Sequence, residues 1–304
     1  MKRGLFITTI LTVAAVVLVF TWQSCTNKDT GSFSFAFMTD IHLTYERHAV
    51  EGFKQAIGKV NELKPDFVIT GGDLIMDALQ QRYSAADSLY DLYIETIKDL
   101  KVPLYNTMGN HELYGIYSKS GADKAGNEYG EKMYEARIGN SYYSFEHKGW
   151  KFMVLNSVED TGKDRYIGKI DDQQLAWIKE ELDKTSPSMP IVISTHIPFI
   201  TANTQKYSGT TVANDSSTVV YNGKEVLDLF KGHNLKLVLQ GHLHTVEDVF
   251  VDGIHFVTGG AVSAGWWNGP FENTEEGFMM LTVKGEIVSW KYIDYGWKVN
   301  NEKQ

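Results

Sequence analysis

The chain is poor in cysteine, in proline and in positive charge. One of its 304 residues is cysteine, Cys25, and six are proline. A single thiol cannot form a disulfide within the chain, so stability has to come from a hydrophobic core and from any bound metal. With no low-complexity tract and no repeat of 20 to 50 residues, collagen-like, disordered and solenoid architectures are excluded. Lys and Arg number 29 against 38 Asp and Glu, a formal net charge of -9. An acidic body disfavours non-specific binding to nucleic acid or to an anionic membrane, and no nucleic-acid polymer is expected as a partner. Any phosphate-bearing substrate must then be attracted locally, by ions or a few donors. What is plentiful is apolar surface, 43% hydrophobic residues, enough for one large α/β domain.

Lys2 and Arg3 open the chain, and no charge follows from Gly4 to Asn27. The apolar run Leu5–Phe20 has the length of a secretory leader and is short for a membrane span. Cys25 stands just beyond it, after the small residue Ser24. This resembles a bacterial lipoprotein signal, in which the cysteine is lipidated and becomes the new N-terminus. Trp22 and Gln23 depart from the usual small aliphatic pair; an uncleaved N-terminal anchor is the alternative. Either reading places the body outside the cytoplasm, held to a membrane. The expected organisation is a signal over 1–24, a linker over 25–32 and one domain over 33–304 with a strand-rich C-terminal part. Loss of 1–24 removes two positive charges and no negative ones, taking the net charge from -9 to -11.

Periodicity alternates strand-like runs with helical patterns, which argues an α/β fold. Strands are expected at Ser34–Thr39, Phe67–Thr70, Leu104–Thr107, Ile191–Thr195 and Lys236–Leu239, with a hairpin at 142–155 and four strands after residue 248. Asp171 followed by Gln174 signals a helix start. The segments Leu113–Ile138 and Ile200–Asn222 resist assignment; loops of that length are usually covers or binding loops.

Behind each of five strands stands a polar residue suited to metal: Asp40 and His42, Asp73, Asn110, His196, then His242 and His244. Ligands bind at the carboxyl ends of strands in open α/β sheets. Residues two apart in extended backbone share a side, so the pairs Asp40/His42 and His242/His244 can each face one centre. Imidazole, carboxylate and amide without sulfur suit Zn, Fe, Mn or Ni and argue against Cu(I) or an iron–sulfur cluster. Seven candidate ligands are too many for one first-row ion and about right for two sharing a carboxylate. Two such ions serve phosphate esters best, and their charge answers the problem of an acidic protein binding an anion.

In order, Asp40-Ile41-His42, Gly72-Asp73, Gly109-Asn110-His111-Glu112, His196 and Gly241-His242-Leu243-His244 resemble the calcineurin-like metallophosphoesterases. The resemblance implies a four-layer sandwich of two mixed β-sheets flanked by helices, with a dinuclear site at the strand ends. It implies that Asp40, His42, Asp73 and His244 hold one ion, that Asp73, Asn110, His196 and His242 hold the other, and that Asp73 bridges them. His111 would be catalytic rather than a ligand, donating to phosphate or leaving oxygen, with Glu112 orienting it. A metal-bound hydroxide would attack phosphorus in line. Met76 stands where purple acid phosphatases carry a metal-binding tyrosine, so a divalent or mixed Mn, Fe or Zn pair is expected rather than an Fe(III)–tyrosinate centre.

Trp266, Trp267 and Asn268 lie in a Gly/Asn/Pro-rich loop and are expected to wall the substrate pocket, against the alternative that the rings pack the loop. Tryptophan-containing tails of this kind occur in relatives that include phosphodiesterases, so a small phosphodiester is the expected substrate. A phosphomonoesterase with the same site, or a non-catalytic surface lipoprotein that keeps its metals, are the alternatives.

Overall fold

The computed structural model describes residues 31–299. The expected signal over 1–24 and Cys25 lie outside them. Among the described residues no helix is long and apolar enough to cross a membrane.

Two sheets face each other. The first has five strands, ordered β13 (Ile287–Asp294), β12 (Gly277–Lys284), β1 (Phe33–Met38), β2 (Phe67–Thr70) and β3 (Leu104–Tyr105). The second has six, ordered β10 (Val246–Val251), β11 (Ile254–Gly259), β9 (Asn234–Gln240), β8 (Pro190–Ser194), β5 (Trp150–Val154) and β4 (Tyr143–His147). The pairs β1–β2, β2–β3, β5–β8, β8–β9 and β9–β11 are parallel, and β1–β12, β12–β13, β10–β11 and β4–β5 are antiparallel. Both sheets are therefore mixed, and their parallel strands all end at one pole.

Alternation inside β1 explains the layering. Phe33, Phe35 and Phe37 join Phe67, Phe152, Leu237 and Leu281 in the core between the sheets, where Phe35 meets Phe152 at 5.5 Å. Ala36 and Met38 face the other way, in the cluster that contains Phe53, Ile57 and Val60 of helix α1 (Ala49–Leu63). With both faces buried, the strand reads as an apolar run interrupted only by Ser34. Each inter-sheet phenylalanine is worth roughly 3–5 kcal/mol against alanine. The remaining helices are α2 (Tyr83–Ile97), α3 (Lys132–Arg137), α4 (Asp172–Asp183), α5 (Asn203–Ser208) and α6 (Gly223–Leu229).

At the start of α4 the Asp171 carboxylate accepts from the Gln174 N–H at 2.7 Å. The Gln174 side chain does not return to Asp171; it pairs with the Asn156 backbone, accepting at 2.9 Å and donating at 2.8 Å. β3 is shorter than expected. Asn106 leaves the ladder because its side-chain oxygen accepts from Thr70 and Tyr93, and the Thr107 N–H turns to Thr70 Oγ1. The two unassigned segments contain α3 and α5. Between them lies an unforeseen hairpin, β6 (Val158–Asp160) with β7 (Tyr166–Gly168), tied to one segment through Ser118–Asp164 and to the other through Arg165–Asp215.

Candidate metal centre

The expected ligands meet at the shared strand ends, although not by the route that extended spacing suggests. Asp40, His42, Asp73, His242 and His244 all have left-handed backbone, with φ between 47° and 72°. The chain turns there instead of running on as a strand. Asp40 N–H bonds to the Gly72 carbonyl at 3.0 Å and His42 N–H to that of Asp73 at 2.9 Å, locking the turns after β1 and β2 together. Gly109 permits the third turn to close, since a Cβ there would stand 2.3 Å from the Asp73 nitrogen.

Two groups of side chains converge. In the first, His42 Nε2 and His244 Nε2 lie 3.0 Å apart, with Asp40 Oδ1 at 3.4 Å from His244. In the second, His196 Nε2 has Asn110 Oδ1 at 3.0 Å, Asp73 Oδ2 at 3.2 Å and His242 Nδ1 at 3.3 Å. Asp73 Oδ2 is also 3.6 Å from His42 Nε2, which puts one carboxylate oxygen between the groups. The pair Asp40/His42 thus serves one group, while His242 and His244 divide between the two.

The outer ring nitrogens fix which lone pairs point inward. His196 Nδ1 is spent on the Gly71 carbonyl at 2.7 Å, and His244 Nδ1 on the Ala264 carbonyl. With those N–H groups donating outward, both Nε2 atoms face carboxylate and amide oxygens, so the inner positions need either a proton, as on His196 beside Asp73, or a cation. Buried acceptors facing acceptors are costly unless a cation lies among them. This donor set fits a pair of transition-metal ions, and the described residues contain three such groups: Asp40/His42/His244, His42/Asp73/His111 and Asp73/His196/His242.

The electrostatics agree. Burial, then the neighbouring His111, holds His42 well below the usual imidazole range. Burial and His196 bring His242 down to about 3, so both rings stay neutral. Burial opposes ionisation of Asp73, yet His196 and His111 hold its carboxyl well below the usual range. Burial works against a charged His196, but the Asp73 carboxylate pushes its pKa up to about 9. Burial raises Asp40 against the pull of His244; the Thr39 hydroxyl at 2.7 Å and the His242 N–H at 3.0 Å supply its donors.

His111 and Glu112 take separate roles. His111 Nδ1 bonds to the Met76 carbonyl, which leaves Nε2 directed inward, 3.9 Å from Asp73 Oδ2. Glu112 contributes nothing to that alignment, contrary to expectation. Its buried carboxylate accepts four backbone N–H groups, from Asp73, Leu74, Ile75 and Gly109 at 2.7 to 3.2 Å, and so braces the turn that carries Asp73. Burial, then the Asp73 charge, raises its pKa to about 7. A proton on either oxygen would sit against one of these N–H groups, which favours the carboxylate.

The tryptophan loop divides. Trp266 lies against His244, rings 4.3 Å apart, with His42 at 5.9 Å and Phe271 at 5.6 Å. Trp267 is buried on Gly52 and donates its indole N–H to the Ile41 and His42 carbonyls at 3.0 and 3.1 Å. It is core that supports the first ligand turn, not pocket wall. The Asn268 amide N–H₂ donates to the Gly265 and Trp266 carbonyls and closes the loop. The site gains two aromatics that no spacing announced: Phe271 beside Trp266, and Tyr166 of β7, 6.2 Å from His242. His48, His147, His233 and His255 join none of the three groups.

The sandwich, the five blocks in order and the convergence on Asp73 define a metallophosphoesterase. A family model described as calcineurin-like phosphoesterase matches residues 33–246, and the chain belongs to that family. It is a hydrolase of phosphoric ester bonds by class. The manganese-dependent ADP-ribose/CDP-alcohol diphosphatase of Mus musculus is 24% identical, over 70% of this chain and 74% of that protein. A probable glycerophosphodiester phosphodiesterase of Arcobacter nitrofigilis is 23% identical, over 67% of this chain and 66% of its own length. Among solved structures, a dimetal phosphatase from Danio rerio has a TM-score of 0.57 at 17% identity, over 87% of this chain and 99% of that one, a likeness of fold.

Proposed function

We propose that the protein is a dinuclear-metal phosphodiesterase acting on a small substrate. The observation that carries this reading is the position of Asp73 Oδ2, 3.2 Å from His196 Nε2 and 3.6 Å from His42 Nε2, at the joint of the two ligand groups. Asp40, His42 and His244 would hold one ion with Asp73, and Asn110, His196 and His242 the other. Such a pair, Mn, Fe or Zn, would supply an activated water and neutralise the phosphate's charge.

The chain's own residues do the rest. The neutral rings of His42 and His242 keep their lone pairs for the ions. His111, fixed by the Met76 carbonyl, presents Nε2 toward the phosphate and in its protonated form donates to a phosphoryl or leaving oxygen. Trp266 and Phe271 form an apolar wall beside His244, where a second ester substituent would lie. That wall favours a diester over a monoester, since a bare phosphate has nothing to place against it.

The test is hydrolysis by the full chain, loaded with Mn, Zn or Fe, of bis-p-nitrophenyl phosphate against p-nitrophenyl phosphate. The diester should be preferred, and Trp266→Ala should raise its KM about tenfold with kcat little changed. Preference for the monoester would make the protein a phosphatase. No turnover with two metals bound would make it a binding protein.

A further inference from the structure

The pole opposite the metal ligands carries features that the hydrolytic reading leaves unused. The three hairpin turns of the two large sheets lie there: Lys148-Gly149 between β4 and β5, Asp252-Gly253 between β10 and β11, and Gly285-Glu286 between β12 and β13. The described chain also enters there, because Phe33 opposes Val283, which opposes Val288, at the end of β1 remote from the site. The two most exposed large aliphatic and phenylalanine side chains flank these turns, Ile287 at 73% and Phe250 at 62%, with Val251 at 40% beside Phe250; Val246 at 42% and Val212 at 41% lie elsewhere. Ile287 follows Glu286 directly, about two strand spacings, or roughly 10 Å, from the entry of the chain. Val251 borders a groove of about 780 Å³ whose lining includes Leu227, Phe230, Leu235 and Ile254. Scattered singly, exposed apolar residues need no explanation; gathered on the turns of one pole, they mark a contact surface.

Charge on this pole is balanced in sign: Lys148 pairs with Asp66 at 2.6 Å, Lys231 with Asp228 at 2.8 Å and Lys236 with Glu286 at 3.1 Å, and exposed Asp252 and Lys284 stand on the turns. An acidic protein therefore does not concentrate its repulsion from a lipid surface here. The sequence ahead sets the geometry. Cys25 precedes Phe33 by eight residues, which span at most about 28 Å fully extended. A domain of this size is roughly 45–50 Å across. A chain held to a bilayer at a lipidated Cys25 on so short a tether cannot turn its far pole to the lipid.

We propose that the hairpin pole is a lipid-contacting surface. Phe250, Val251 and Ile287 rest in the headgroup region of the bilayer that holds the N-terminal segment, and the metal-ligand pole faces water. This rests on the membrane reading of residues 1–25 and is independent of the substrate. The experiment is hydrogen exchange on the full chain in vesicles of phosphatidylcholine with a minority of phosphatidylglycerol, against the same chain in detergent micelles. Amides of 250–254 and 284–288 should slow about tenfold in vesicles, those of 264–273 should not, and F250S/I287S should lose the slowing with hydrolysis unchanged. Ile287→Ser alone should lose it over 284–288. Four results would overturn the proposal: unchanged exchange at these turns, slowing centred on 264–273, slowing in micelles that grows with protein concentration and so reports a second copy, or failure of the full chain to float with the vesicles.

Discussion

Lys148 and Gly149, with φ of 43° and 79°, and Asp252 and Gly253, with 52° and 81°, close two hairpins at one end of the sandwich. Asp40, His42, Asp73, His242 and His244 adopt the same left-handed region at the other end. In the hairpins, consecutive left-handed residues match the twist of the flanking strands, and half of them are glycine. At the site the residues bear imidazoles and carboxylates, and each costs of order 1–3 kcal/mol in that backbone. Interlocking backbone bonds, the four N–H groups on Glu112 and the Trp267 indole hold the turns in place. A left-handed turn that merely reverses the chain selects glycine; one that aims a ligand keeps its side chain and must be braced.

The sharpest way to break this contrast is at Asp73. Asp73→Ala should lose bound metal and lower turnover by about 1,000-fold or more, as metal analysis and steady-state rates would show. His111→Ala should lower turnover by about 100- to 10,000-fold with metal content unchanged. A full metal complement in the first variant would remove Asp73 from its bridging place.

Bracing is tested at Glu112. Glu112→Gln keeps the volume but turns an amide N–H₂ toward two of the four backbone donors. Unfolding by urea should show a loss of about 2–3 kcal/mol, and turnover should fall roughly 10- to 100-fold as Asp73 shifts. Unchanged stability would mean that the turn holds itself.

Much of this contrast can be read in the sequence, and the physical reasons for the remainder differ. Strand ends are marked because β1, β2, β8 and β9 are short apolar runs stopped by Asp, Gly or His, and period and composition change together. Asp171 is marked because its cap is local. The β6–β7 hairpin, three residues a side, is too short to have a period. Trp266 and Trp267 cannot be told apart in sequence, because one residue against His244 and one core residue arise from a single turn whose direction is set by Gly52 and the Ile41 and His42 carbonyls. Glu112 reads as a partner of its neighbour His111, whereas its partners come from a turn thirty-seven to thirty-nine residues away and from Gly109.

The two poles are compared most directly by adding one methyl group to each. Gly109→Ala places a Cβ 2.3 Å from the Asp73 nitrogen and should cost about 1–3 kcal/mol together with most of the activity. Gly253→Ala meets no atom within 4 Å and should cost about 1–2 kcal/mol through its positive φ alone, with turnover unchanged. Melting curves and rates on the two variants separate strain that serves chemistry from strain that serves reversal.

The smallest effect belongs to the hairpin pole. Asp66 accepts from Lys148 at 2.6 Å and from the Ser34 N–H at 3.0 Å, tying the β4–β5 turn to the start of β1. Partial burial would raise its pKa, but Lys148 and the Ser34 N–H outweigh it and hold the carboxyl below its usual 3.8. A group depressed in the folded state contributes stability above its unfolded pKa and loses it as pH falls through the folded value. Asp66→Asn should therefore cost about 0.5–1 kcal/mol at pH 7, the modest worth of a partly exposed ion pair. The difference from the parent should shrink as pH drops below 3.8. Denaturant midpoints across that range decide it, because a gap that stayed constant into strong acid would assign the stabilisation to packing of Asp66 rather than to its charge.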